Sequence, residues 1–192
     1  MIKAIIFDCY GVLTKSTWQE FWSSLPTPNM REQARVLNRA YDGAVISEED
    51  FSTKLQSLTK RSKSEIQKIF FDEDPSKNTE LIDYIRTLKP KYKTAILSNI
   101  ATSWVEDYLL TDDEKELFDA MVFSFRVGIT KPDPEIFKLT AEQLGVSPDE
   151  CVFIDDIDRY CVAARDGGMQ TITYKDFKQM KVELEKLFDE DA

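Results

Sequence analysis

The stretch AIIFDCYGVLT, residues 4–14, carries an uninterrupted apolar run into an aspartate and then, three positions later, a glycine. An unbroken apolar run, as opposed to an alternating one, is the pattern of a strand buried on both faces, and such strands belong to parallel sheets with helices on either side. Asp8 then stands at the carboxyl end of the first strand. That is where open α/β sheets collect their ligands.

The same pattern recurs downstream. KAIIF (3–7), TAILS (94–98), AMVFSF (120–125), CVFID (151–155) and QTITY (170–174) read as five strands. Helical patterns lie between them. Asn78 precedes a helix whose Leu81, Ile82, Ile85 and Leu88 share a face, with Pro90 as its stop. Asp133 and Pro134 are the expected N-cap and first position of another, bearing Phe137, Ala141 and Leu144 and ended by Gly145. Phe177, Met180, Leu184 and Leu187 mark the last. Strands alternating with helices predict an α/β fold with a doubly wound, mostly parallel sheet and right-handed crossovers.

Residues 15–77 break the alternation. They show no strand signal, but Ser62 and Glu65 form a capping box, and Ser47 precedes the apolar face Phe51, Leu55 and Leu58. Such a stretch is too long for a connection. It is expected to be a small helical cap inserted into a core of residues 1–14 and 78–192, with hinges near Leu13–Ser16 and Asp74–Asn78.

Composition narrows the chemistry. The 192 residues suit one domain with a modest insertion, and a net charge of −10 without a basic cluster argues against a nucleic-acid partner. No apolar run approaches the roughly 18 residues of a membrane span, and the N-terminus does not read as a signal peptide, so a cytoplasmic protein is expected. Cys9, Cys151 and Cys161 have no paired spacing and read as free thiols. The chain has no histidine, which removes Ser-His-Asp and Cys-His machinery and every imidazole metal site. Catalysis is left to carboxylates, lysine, hydroxyls, amides or a hard metal ion.

The strand ends supply such groups. The first ends at Asp8, the second at Ser98-Asn99 and the fourth at Asp155-Asp156, while Lys131 follows the third. Singly these are ordinary turn, cap or surface residues, and the acidic pair could simply cap the helix near Arg159. Together they predict one crevice with three carboxylates, which repel one another unless a cation intervenes; an all-oxygen site of this kind suits Mg²⁺. Magnesium would admit a phosphate to an acidic cleft, with Lys131 complementing the remaining charge and an aspartate as candidate nucleophile.

Four segments in order, IIFDCYGVLT, AILSNI, GITKPDPEIF and CVFIDDIDRYCVAARDGGMQTI, resemble the haloacid dehalogenase (HAD)-like hydrolase superfamily across nearly the whole chain. YDGAVISEEDFSTKL also resembles the helical cap of the subgroup containing sugar-phosphate phosphatases and the epoxide hydrolase N-terminal domain. The resemblance implies a Rossmann-like core and a Mg²⁺-dependent phosphatase acting on a small phosphorylated metabolite through an aspartyl-phosphate. Asp8 becomes nucleophile and metal ligand, Ser98 and Asn99 phosphoryl contacts, and Lys131 a partner to both phosphoryl group and Asp8. Asp156 becomes a direct metal ligand with Asp155 beside it.

Two positions depart from the family pattern. Tyr10 stands where the phosphatases have a second aspartate that protonates the leaving group and activates water, and Val12 replaces a threonine. The backbone carbonyl of Tyr10 can still bind magnesium, but a phenol with an ordinary pKa near ~10 is a poor base at neutral pH. The DxYG form also resembles the metal-free 2-haloacid dehalogenases, which would need a halide-binding arginine such as Arg35 or Arg39; the acidic pair Asp155-Asp156 fits that reading poorly. A third reading is a phosphate- or partner-binding protein with little turnover, using Trp18, Trp22 and Tyr41 on the cap, where aromatics otherwise fill its small core.

Overall fold

The structure is a computed structural model that describes residues 1–70 and 76–190. Among these the sheet has five parallel strands, β1 (Ala4–Phe7), β2 (Lys93–Ser98), β3 (Ala120–Phe123), β4 (Cys151–Asp155) and β5 (Gln170–Thr173), in the order β3-β2-β1-β4-β5. The three inner strands β2, β1 and β4 are almost wholly buried, which is why they read as apolar runs. Chain direction across the sheet reverses at β1, so the crevice above the carboxyl ends of β1, β2 and β4 is the topological switch point.

Between β1 and β2 run α1 (Thr17–Ser24), α2 (Pro28–Asp42), α3 (Glu48–Thr59), α4 (Lys63–Phe70) and α5 (Thr79–Leu88). The first four enclose their own apolar cluster of Phe21, Leu25, Ala34, Tyr41, Phe51, Leu55 and Ile66. Tyr41 stacks on Phe51 with ring centroids 4.5 Å apart. The box at the start of α4 forms: Glu65 accepts from the Ser62 amide at 2.8 Å, and its own amide donates to the Ser62 hydroxyl at 3.3 Å. Where the chain leaves and rejoins the sheet, Thr14 bridges Lys77 and the Asn78 amide donates to the Leu13 carbonyl. Part of the expected second hinge, around Asp74, lies outside the described residues.

After β2 come a π-turn at Val105–Leu109 and a short α6 (Asp112–Lys115). After β3 come α7 (Ser124–Val127) and α8 (Pro134–Leu144), which has Asp133 as N-cap and Gly145 as left-handed C-cap, as its sequence predicts. A 3₁₀ turn (Pro148–Glu150) precedes β4, and α9 (Asp158–Asp166) and α10 (Phe177–Glu190) flank β5. β3 is shorter than expected. Its partner β2 ends at Ser98, paired with Phe123, so Ser124 and Phe125 have no strand to continue against and turn into α7. All three cysteines are free and buried, and no helix among the described residues is long and apolar enough to cross a membrane.

Candidate active site

Asp8, Ser98, Asn99, Lys131 and Asp156 line one cleft of about 540 Å³ between the sheet end and the helices α1 and α2. Lys131 sits at its floor, 1% exposed, with its ammonium 2.8 Å from Asp8 and 2.6 Å from Asp155. The rings of Phe153 and Tyr160 cover it at 5.4 and 5.0 Å. Burial pulls the ammonium down, and the charges and hydrogen bonds of Asp155 and Asp8 more than offset that, so Lys131 stays firmly charged.

The backbone around Lys131 is fixed from β2. Asn99 donates to its carbonyl at 3.0 Å and accepts from its amide at 2.8 Å. The side chain expected to touch a phosphoryl group therefore also positions the lysine. Ser98 differs: its hydroxyl is fully buried and has no partner among the described residues. A buried hydroxyl left unpaired costs about 1–3 kcal/mol, which a ligand oxygen would recover.

Asp8, Asp155 and Asp156 each offer an oxygen within 4.8 Å of the others. Burial first, and then the charge of Asp155, push Asp8 up to about 8 and Asp156 up to about 6. The two members of the acidic pair are used differently. Asp155 accepts from Lys131 and from the Ile157 amide at 2.8 Å, whereas Oδ1 of Asp156 is buried without a partner. Neither caps α9, whose cap position is Ile157 without a side-chain bond. Gly11 makes the room: its φ is +92°, and a Cβ there would fall 2.5 Å from the Asp156 carboxyl. Three clustered oxygen donors, one of them orphaned, fit a hard divalent cation.

Tyr10 stacks on Trp104 with ring centroids 5.7 Å apart, a partner that sequence reading did not identify. Burial and the nearby acids raise its phenol well above the usual range, so it stays protonated. The opposite wall is one face of α2, with Arg35, Asn38, Arg39 and Asp42, and one face of α1, with Trp18, Gln19 and Trp22. Trp18 and Trp22 are partly buried against the helical cluster, and Tyr41 belongs to it, so these aromatics both fill that core and line the cleft. Asp42 was not singled out in the sequence. It ends α2, and burial holds its carboxyl well above the ordinary range despite the lowering effect of Lys131 and Asn38.

The family model of haloacid dehalogenase-like hydrolases matches residues 2–168. The chain belongs to this family. It is 33% identical over 185 residues to bifunctional epoxide hydrolase 2 of Sus scrofa, covering 92% of this chain and 29% of that protein. The chain thus spans under a third of the epoxide hydrolase. It is 26% identical to a phosphorylated carbohydrates phosphatase of Thermotoga maritima, covering 89% of this chain and 84% of that one. Among solved structures, a HAD family enzyme of Bacteroides thetaiotaomicron in complex with magnesium and inorganic phosphate superposes with a TM-score of 0.71 at 25% identity, covering 94% of this chain and 99% of that one. The α/β core of this family is thus the scaffold here, and the Asp8, Asp155 and Asp156 cluster is a group of oxygen donors that could hold a metal ion.

Proposed function

We propose that the protein is a Mg²⁺-dependent phosphohydrolase that cleaves a small phosphorylated metabolite through an aspartyl-phosphate on Asp8. The observation that carries this reading is a pair of buried oxygens without partners in one cleft: the Ser98 hydroxyl, a donor suited to a phosphoryl oxygen, and Asp156 Oδ1, an acceptor suited to a cation. Asp8, Asp156, Asp155 and the Tyr10 carbonyl would hold the magnesium. Bound there, the ion supplies charge neutralisation that lets a phosphate dianion enter an acidic cleft.

The chain's own groups divide the rest of the work. Lys131 holds Asp8 in place and favours its ionised form against the burial that raises it, and its fixed charge faces the phosphoryl oxygens. Ser98 donates to one of those oxygens, and Asn99 fixes the lysine loop and adds its remaining amide hydrogen. Residues 15–77 act as a cap whose α1 and α2 close the cleft and meet the leaving group, as lids in such sites do. The 2-haloacid dehalogenase reading shares Tyr10 but leaves Asp156 without use.

The test is a rapid-mixing assay with p-nitrophenyl phosphate, whose leaving group departs without a proton. A burst of p-nitrophenol that needs Mg²⁺, and that Asp8→Asn removes by about 10⁴-fold or more, is the expected outcome. No release by the wild type with magnesium would refute the phosphohydrolase and turn attention to phosphate binding without turnover, or to halide release from 2-chloropropionate.

A further inference from the structure

Tyr10 leaves the proposed reaction short of a proton carrier. The position that supplies a carboxyl in related phosphatases holds a phenol, stacked on Trp104, and a phenol's ordinary pKa is near ~10. Such a group cannot take a proton from water, and it gives one up poorly. The remaining acids on the floor are committed, Asp8 to attack and Asp155 to Lys131 and the Ile157 amide, with Asp156 placed for the cation.

Two further carboxyls line the cleft: Asp158 starts α9 and accepts from the Thr173 hydroxyl at 3.3 Å, whereas Asp42 has no such commitment. Asp42, on the wall opposite the floor, is bound through one oxygen only: Asn38 donates to Oδ2 at 2.7 Å, and Oδ1 has no partner among the described residues. No cation among the described residues forms an ion pair with it, and Lys131 is engaged by Asp8 and Asp155. It is nonetheless close enough to feel the charges of both Lys131 and Asp8. Its backbone is tied to the core and not merely to the helices around it, since the Ser124 hydroxyl at the end of β3 donates to the Asp42 carbonyl at 2.6 Å. That bond holds the backbone at Asp42 against the sheet end, while Asn38 holds the side chain.

Resting on the phosphohydrolase reading above, we propose that Asp42, a residue of the helical insert, is the general acid and base of the reaction, in place of the acid absent at position 10. In the first half-reaction an Asp8 oxygen bonds to phosphorus, the bond from phosphorus to the leaving oxygen breaks, and the Asp42 proton goes to that oxygen. This yields the alcohol, the aspartyl-phosphate and an Asp42 carboxylate. In the second, a water oxygen bonds to phosphorus while Asp42 takes one water proton and the bond from phosphorus to Asp8 breaks. Inorganic phosphate leaves, with Asp8 ionised and Asp42 protonated as at the start.

The environment suits both states. Burial, reinforced by the charge of Asp8, favours the protonated acid between turnovers, while Lys131 and the Asn38 amide support the carboxylate formed after donation. Tyr10 faces the same region from the loop after β1, and Arg35 and Arg39 lie on the same helix face. A proton carrier on the insert also makes cleavage depend on the insert being seated, because the carboxyl reaches the reacting phosphate only when α2 is docked through Ser124.

The experiment compares p-nitrophenyl phosphate with phenyl phosphate, which is similar in shape but whose leaving oxygen needs a proton. In Asp42→Asn, kcat/KM for phenyl phosphate should fall by about 10²–10⁴-fold, the usual range for general acid catalysis, and by at least about tenfold more than for p-nitrophenyl phosphate. Steady-state release of p-nitrophenol should fall more than the burst, because the aspartyl-phosphate accumulates. Tyr10→Asp, which restores an acid at position 10, should recover phenyl phosphate cleavage in the Asp42→Asn background. Equal losses on both substrates, or no loss, would overturn the proposal, as would a Tyr10→Asp/Asp42→Asn enzyme no better than Asp42→Asn. If Asp42→Asn does not fold, Asp42→Glu and Tyr10→Asp/Asp42→Glu make the same leaving-group comparison. Absence of a burst in the wild type would instead refute the phosphohydrolase itself, and this inference with it.

Discussion

The floor and the wall of the cleft are built by opposite rules. On the floor Lys131, Asp8 and Asp155 are nearly inaccessible, each charge is held at hydrogen-bond distance from its opposite, and the backbone is fixed by strand ends, directly for the two aspartates and through Asn99 for the lysine. On the wall Arg35 and Arg39 are exposed, Arg35 lies over the Trp22 ring at 4.0 Å, and the backbone is helix resting on a small separate core. Buried, mutually dependent charges can tolerate few changes, because each residue's removal strands another. Exposed helix positions tolerate many. The floor is therefore the part tied to one chemistry, and the wall is the part free to vary with the leaving group.

Removing the lysine would test the floor most severely. Lys131→Ala leaves two carboxylates buried with no counter-charge, and loss of one member of a buried ion pair costs about 3–5 kcal/mol. Chemical denaturation should show a loss of that size above about pH 8, where Asp8 is ionised, easing at lower pH as Asp8 takes up its proton. A cost below about 1 kcal/mol would mean that the floor is as tolerant as the wall.

Magnesium should produce the next largest effect. An unfolded aspartate has a pKa near ~3.9, and the fold raises Asp8 to about 8 and Asp156 to about 6. A carboxyl raised by folding contributes stability that is present below its unfolded value and lost as pH climbs through its folded value. The metal-free protein should thus lose stability between about pH 4 and pH 8. A cation that binds the carboxylates reverses that loss, so magnesium should raise the melting temperature more at pH 8 than at pH 5. At a hundred times its Kd the linkage is about 2.7 kcal/mol, or about 5–10 °C for a chain of this size. Equal shifts at both pH values would remove the carboxylate cluster as the binding site.

The wall should respond least. Arg35→Gln removes a cation from a partly buried indole face at the surface, an interaction of about 0.5–1 kcal/mol. Its melting temperature should move by a few degrees at most, while KM values should shift unevenly across a panel of phosphorylated sugars, alcohols and acids. A uniform change across the panel would argue that this face does not read the leaving group.

The same contrast explains what could be read from sequence. Asp8, Ser98 and Asp156 stand at strand ends, and strand ends follow from apolar runs, so their meeting in one cleft was legible from position; Lys131 lies beyond α7 in the loop before α8, where only its following the third strand pointed to it. The caps Asp133, Asn78 and Ser62 were equally local, each binding an amide two or three residues away. Asp42 had no such signal. Nothing in YDGAV says that the end of α2 faces Asp8, because that depends on how the helices of the insert pack and on a hydroxyl at Ser124 far along the chain. Trp104 behind Tyr10, and the end of β3 at Phe123 and not Phe125, were likewise set by partners distant in sequence.

Ser124 also bears on how the two halves of the cleft part. Its hydroxyl accepts from the Ile100 amide at 2.9 Å and has two carbonyls within reach of its one proton, Asp42 at 2.6 Å and Ile100 at 3.1 Å. A rotor with two alternative acceptors is never stranded. If the insert lifts away, the proton swings to Ile100, which belongs to the same loop cluster, and this contact gives up to water a single helix-terminal carbonyl that water solvates readily. This hydrogen bond between wall and floor thus carries a low intrinsic penalty for separation, in contrast to the ion pairs of the lysine beneath it, and its engagement and release leave Ser124 satisfied at the sheet end.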